Sequence, residues 1–345
     1  MTGNPGVDRI GDAIQLAGAY FDTGNHEHGR EVLRRSLSQH PNDPSLLAHL
    51  ARAEYLLDNY PGAATSAYAA LSAAPQDELA MRIYALSLAG VGRLYDALWM
   101  AWRGVTAHPN EPMQHRVYAR LLQQSRQLPS ALLAVDESLR LDPASPDALV
   151  LRGSILHDLG RMSESTASYR QALSLDASHA AALHNMAVNR MQRGNFRRAV
   201  RGFLGAAGSD PTLGDLVRMN IGAVLANILT RATILAVVLG LLVAFVGSVH
   251  SNGQPTLTLQ VVTGLDTGVL IAVLGWLVRA IPRRVLASAL RDRVVVAARI
   301  VHALLAVGVG AWATAFGEGA WMIPIGVLLI ISGVILLRVG LITGM

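Results

Sequence analysis

Proline recurs on a fixed grid in the first 211 residues of this 345-residue chain. Pro41, Pro75, Pro109, Pro143 and Pro211 are spaced by 34 residues or twice that, with Ala177 in the one vacant place. A constant period of this length means a supersecondary unit repeated and stacked, because one unit alone cannot bury its apolar face. Other positions keep the same period. Ala17, Ala51, Ala85, Ala119, Gly153 and Ala187 share the first helix of each unit, and Gly29, Ala63, Ala97, Ala131, Ser165 and Ala199 share the second. Ser36, Ala70, Gly104, Ser138, Ala172 and Ala206 follow, seven residues later. Small side chains at three fixed places let paired helices, and then neighbouring pairs, approach at backbone distance. Leu16, Leu50, Tyr84, Tyr118 and Met186, with Leu33, Val135, Tyr169 and Phe203, are expected to fill the remaining core. Gly24, Gly92, Gly160 and Gly194 stand in the turn within a pair, where a positive φ is needed, and Asp58 and Arg126 replace them in repeats two and four. Each proline follows a second helix, which its missing N–H and fixed φ bring to a stop.

This small–large–small–proline register resembles the tetratricopeptide repeat family. The resemblance covers six units, about 10–43, 44–77, 78–111, 112–145, 146–179 and 180–211, after a tail at 1–9. It departs from the family pattern in having no tryptophan near the start of a repeat, and in Arg152 where a large apolar residue is usual. The resemblance implies an α-solenoid whose first helices line a concave groove that takes a protein or peptide ligand. It also implies which positions face that groove: Arg52, Tyr55, Arg82, Leu86, Met113, Arg116, Arg120 and Gln123. Guanidinium forks suit carboxylates, so an acidic segment or a peptide C-terminus is the expected ligand class. The family's clamp for chaperone tails has no counterpart, since Ile14, Gly18, His49 and Leu79 occupy early first-helix places where it would need Lys and Asn.

Beyond residue 211 the chain changes character. Segment 212–230 reads as a capping helix, with Leu213, Leu216, Val217, Ile221, Val224 and Leu225 apolar. Four long apolar runs follow, at about 232–249, 257–278, 294–316 and 320–337. Each approaches the ~20 residues that cross a bilayer core. The fold expected is therefore all-α, a six-pair solenoid joined to a four-helix transmembrane bundle. Charge orients it. Arg279, Arg283, Arg284, Arg291 and Arg293 lie between the second and third runs against Asp292 alone, and Arg218, Arg231 and Arg338 fall on the same side. The other two connections are uncharged or carry only Glu318. An arginine-rich side is the inner side, which places the solenoid and the C-terminus in the cytoplasm. The polar N-terminus leads straight into repeat one, so no secretory signal is expected.

The net charge of +5 and pI near 9.9 do not indicate nucleic acid. Residues 1–211 hold 20 Arg and 20 acids, so the whole excess lies in the apolar part, and no nucleic-acid partner is expected. Every cation is Arg, which with the abundant Ala suits a GC-rich bacterial gene. There is no Cys, hence no disulfide, thiolate ligand or cysteine nucleophile. Residues 177–209 contain no acid, and Arg193, Arg197, Arg198 and Arg201 there are expected to meet anionic lipid headgroups. Asp266 and His302 are intramembrane polar residues at depths close enough to pair, although Asp266 points away from the Gly264–Gly268–Ala272 ridge of its own span, which leaves a place near the outer interface as its alternative; Arg299 is able to snorkel inward. Trp99 and Trp102 are expected to pack between repeats, with a docking patch on the convex face as the alternative, and His26 and His28 to lie on a surface loop. No catalytic, metal or cofactor motif is present. The function expected is a non-catalytic membrane-anchored scaffold; the alternative is an accessory subunit of a transporter or channel, for which Asp266 would be the working residue. The oligomeric state is left open.

Overall fold

A computed structural model of the chain describes residues 5–251, 257–280, 294–316 and 321–342. The arginine-rich connection containing Arg283, Arg284, Arg291 and Arg293, and that containing Glu318, lie outside the described residues. All sixteen helices among the described residues are α-helices, joined by turns and one 3₁₀ segment, with no strand. Two compact units are resolved, residues 1–177 and 178–345.

The N-terminal unit is five antiparallel helix pairs: α1 Pro5–Asp22 with α2 His26–Leu37, α3 Pro44–Leu56 with α4 Tyr60–Ala73, α5 Glu78–Gly90 with α6 Leu94–Ala107, α7 Pro112–Gln124 with α8 Leu128–Leu141, and α9 Pro146–Asp158 with α10 Met162–Leu175. The grid of small residues explains the packing. All of these positions are buried across the chain except Ser36, which is only partly covered. At Gly153 an added Cβ would run into the Tyr169 ring, so the pair closes on a hydrogen atom. Helix starts are fixed by the residue that ends each period. Asp43 Oδ1 accepts from Leu46 N at 2.9 Å, Asp77 Oδ1 from Ala80 N at 2.7 Å and Ser145 Oγ from Ala148 N at 3.3 Å, whereas Glu111 makes no such bond. The turns inside the pairs put Gly24, Asp58, Gly92, Arg126 and Gly160 at φ between 57° and 82°.

One core expectation fails. Leu16 is 48% exposed, while Leu50, Tyr84 and Tyr118 at the same place are half-buried against the preceding repeat. Among the described residues no helix pair packs on the outer side of α1 to cover Leu16.

The C-terminal unit begins with the sixth pair, α11 Ala180–Gln192 and α12 Phe196–Ser209. A 3₁₀ turn, Pro211–Leu213, leads into α13 Gly214–Ser251, followed by α14 Leu257–Ala280, α15 Val294–Phe316 and α16 Met322–Ile342. At about 1.5 Å per residue the 38 residues of α13 run for roughly 57 Å. Its first half buries Val217, Ile221, Val224, Leu225, Ile228 and Leu229 against Phe196, Val200 and Phe203 of the sixth pair. Its second half buries Ala236, Leu239 and Val243 among α14, α15 and α16. Four helices are long and apolar enough to cross a membrane. Small residues again set the closest approach. A Cβ on Gly326 of α16 would stand 2.5 Å from the Gly240 carbonyl oxygen of α13, the close crossing that apolar helices use in place of a hydrophobic driving force.

Candidate functional site

In the N-terminal unit the first helices touch in succession, α1 to α3 to α5 to α7 to α9, while no two second helices pack comparably. A layer of helices closer together than their partners is the inner layer of a curve, so α1, α3, α5, α7 and α9 line the concave face. Arg52 of α3, Arg82 of α5 and Arg116 of α7 converge there. The Arg82 guanidinium sits below the usual arginine range, first because burial desolvates it and then because Arg52 and Arg116 repel it, with Glu78 pulling the other way.

Two of the three are ion-paired. Arg82 meets Glu78 at 3.1 Å, and Arg116 meets Asp147 at 2.5 Å and donates to Met113 Sδ at 2.7 Å. Arg52 makes no ion pair among the described residues and lies 5.2 Å over the Phe21 ring. Partly exposed pairs of this kind are worth about 0–1 kcal/mol, so they hold the two arginines only weakly. Arg120 is exposed one turn after Arg116 on α7, near enough to Tyr60 for its charge to be felt there, and the Tyr55 and Tyr60 rings are 5.6 Å apart. Leu86 is half-buried in the core of the third repeat. Gln123 spends its amide on Ser154 at 2.9 Å and Asp158 at 2.7 Å.

Two features of this unit escape sequence reasoning. Glu54, only 3% exposed, is held by Arg34 at 2.8 Å, Arg30 at 3.5 Å and Asn59 at 2.6 Å. The available signal was Arg30 and Arg34, one turn apart on the preceding helix. Trp99 and Trp102 do not pack between repeats: both are 51% exposed on α6, in the outer layer, with Arg103 5.0 Å over the Trp99 ring. Arg152, the departure from the repeat pattern, reaches across to Asp136 at 2.7 Å and Ser168 at 2.9 Å.

In the C-terminal unit Arg193, Arg197, Arg198 and Arg201 are exposed and make no ion pair among the described residues. Arg193 and Arg197, but not Arg198 or Arg201, line a groove of about 770 Å³ together with Arg231 and the apolar residues Ile228, Val269, Val273 and Trp276. Asp266 and His302 are not brought together. Gly264 and Thr267 of α14 lie against Thr314 and Gly310 of α15, which sets Asp266 at the level of those residues. His302, eight residues from Gly310, is about 12 Å away along the helix. His302 Nε2 is 3.0 Å from the Leu329 carbonyl oxygen, and its Nδ1 and Asp266 Oδ2 have no hydrogen-bond partner among the described residues. Arg299 does not snorkel. It is 2% exposed and donates to Thr230 Oγ1 at 2.8 Å and the Leu336 carbonyl at 3.2 Å, tying α15 to α13 and α16.

Comparison with known proteins bears on the repeats. Models described as tetratricopeptide repeat match residues 12–53 and 119–180. Among solved structures, the Cut9–Hcn1 hetero-tetramer of the APC/C aligns with a TM-score of 0.55 at 14% identity, over 60% of this chain and 41% of that one. Human IFIT1, solved as a dimer with PPP-AAAA, gives 0.52 at 17% identity over 58% and 50%. Yeast Tom70 gives 0.50 at 17% over 62% and 46%. The chain therefore spans half or less of the length of these structures, and at such identities the likeness is one of fold. No curated protein matches the sequence with significance.

Proposed function

This chain is a tetratricopeptide-repeat protein, and on that premise we propose that it is a non-catalytic, membrane-anchored scaffold that captures an acidic segment of a protein partner on the concave face of its repeats. The observation that carries the reading is the placement of Arg52, Arg82 and Arg116 on three successive first helices, where Arg82 is lowered first by burial and then, against the pull of Glu78, by the two neighbouring cations. Like charges held together by a rigid stack are relieved by an anion, and a carboxylate accepts two parallel N–H donors from a guanidinium. Met113 and Tyr55 flank the cluster and offer apolar area.

Anchoring rests on the C-terminal unit. Four helices have the length and hydropathy of spans. Arg231, Arg279 and Arg338 stand at one end of them, and Trp312, Phe316 and Trp321 cluster at the other, with ring centroids 4.5 and 6.1 Å apart. Arginine on one side and an aromatic girdle on the other is the pattern of an inserted bundle with its basic end inside. The repeats then face the cytoplasm of a cell membrane.

Crosslinked capture from native membranes tests the groove. The chain with Arg82, Arg116 and Arg120 all changed to Glu is expected to lose partners that the wild type retains. Reversing Arg93, Arg140 and Arg161, which pair locally with Asp96, Glu137 and Glu164, is expected to lose none. An unchanged partner set in the first variant, with its helicity intact, removes the groove reading.

A further inference from the structure

The groove beside α12 is built differently from the concave face and points to a different ligand. Its polar rim is the turn between α11 and α12, with Arg193 and Asn195, joined by Arg197 in the first turn of α12 and Arg231 of α13. Arg231 is held in place by stacking over the Phe196 ring at 5.2 Å. No carboxylate pairs with any of the three arginines among the described residues, and residues 177–209 contain no acid to do so. The opposite wall is apolar: Ile228 of α13 and Val269, Ala272, Val273 and Trp276 of α14. Val269 lies ten residues before Arg279, so this wall runs about 15 Å inward from the basic end, roughly half the thickness of a hydrocarbon core.

We propose that this groove holds one anionic phospholipid, its phosphate on Arg193, Arg197 and Arg231 and an acyl chain along the α14 wall. The proposal goes beyond the scaffold reading and does not depend on the concave face; it rests on the basic end of the bundle lying at the inner interface. Three features fix the ligand class. Three guanidinium groups around one opening, without a carboxylate partner among the described residues, favour an anion of more than one oxygen, which phosphate meets bidentately. A wall without a polar side chain, reaching to mid-bilayer depth, excludes a fully water-soluble anion as the complete occupant. The volume of about 770 Å³ accommodates a headgroup and the upper part of a chain rather than a folded protein element. The site also separates two pairs of arginines that the sequence treats alike: Arg193 and Arg197 belong to it, while Arg198 and Arg201 remain general surface charge.

Native mass spectrometry of the full chain, released from detergent micelles and titrated with phosphatidylglycerol, phosphatidylcholine and soluble glycerol 3-phosphate, tests this. The expected result is a single phosphatidylglycerol adduct, favoured about tenfold over phosphatidylcholine, with no glycerol phosphate retained. Arg193→Gln with Arg197→Gln is expected to reduce retention about tenfold, and Arg198→Gln with Arg201→Gln to leave it unchanged although the same charge is lost. Ala272→Trp, which fills the wall without touching charge, is expected to abolish the adduct, and the melting temperature of each variant reports whether it is folded. Equal loss in both arginine pairs would overturn the site in favour of diffuse surface attraction. Retention of glycerol phosphate, indifference to Ala272→Trp in a folded chain, or a polypeptide held there in place of lipid would each overturn it too.

Discussion

Arg126 offers a clean test of how the repeat geometry is held. It occupies the turn between α7 and α8 at φ 62°, where repeats one, three, five and six have Gly24, Gly92, Gly160 and Gly194 at φ 74–82°. A side chain in the left-handed region costs about 1–2 kcal/mol, because Cβ crowds the following carbonyl. Arg126 is exposed and makes no side-chain hydrogen bond or ion pair among the described residues, so nothing offsets that cost. Replacing it with Gly removes the strain but returns about 0.4–1 kcal/mol as extra entropy of the unfolded chain. The net gain expected is about 0.5–1 kcal/mol, or a rise of roughly 1–4 °C for a unit of this size. The reverse change supplies the control. A Cβ at Gly160 would meet nothing within 4 Å, so Gly160→Arg tests conformation alone and is expected to lower the melting temperature by a similar amount. Asp58→Gly should gain less, since Asp tolerates this region and Asp58 Oδ1 also accepts from the Tyr60 hydroxyl at 2.7 Å. Thermal unfolding of the full chain in micelles, followed by circular dichroism, measures all three. A fall with Arg126→Gly, or a Gly160→Arg chain that melts with the wild type, refutes the account.

Two further outcomes follow from close packing and burial. Gly326→Val is expected to force α13 and α16 apart, since its Cβ would stand 2.5 Å from the Gly240 oxygen and 2.7 Å from Ala244 N, at about 1–3 kcal/mol in thermal stability; Gly268→Ala, with nothing within 4 Å, should be neutral. His184, 9% exposed and 5.4 Å from the Phe203 ring, is pushed down in pKa by burial, so the unfolded chain takes up its proton first as pH falls. Stability is thus fully present above about pH 6.5 and declines below it towards the lowered folded value, and melting curves of His184→Gln should lose that part of the slope.

The helix pairs were legible because their signal is redundant: three small positions, a turn position and a proline each repeat the same period. Even the vacant proline place behaves. Asp176 before Ala177 has φ −136°, close to the −133° of Asp142 before Pro143, so neighbouring packing imposes the extended residue that proline imposes elsewhere. The partners of the arginines on the first helices were not legible, since Glu78, Asp147 and the Phe21 ring reach them from other turns and other repeats. Arg299 was misread for a related reason. Sequence gives its depth, but only the fold brings Thr230 and the Leu336 carbonyl to its guanidinium, and with those acceptors in reach the side chain has no need of the interface. Trp99 and Trp102 were misread because a spacing of three residues marks one helix face without saying which way it points.

The sixth pair carries the remaining lesson. Ala187, Ala199 and Ala206 keep the repeat grid, so by sequence this pair is one more solenoid unit. In the structure these three residues join Val217, Ile221 and Leu225 of α13, with Leu277 of α14 and Val296 of α15, in a single core. An end repeat exposes the face on which a next repeat would stack, and that face must be covered. Here the cover is the first half of a helix whose second half packs in the apolar bundle. One α-helix without a break thus serves both as the cap and as the first proposed span, and no linker lies between them in which an angle could relax. The exposed arginines of α12 are fixed relative to α14 by that same core. A groove with a basic rim and an apolar wall is the direct result of ending a polar repeat array on a helix that continues into an apolar bundle.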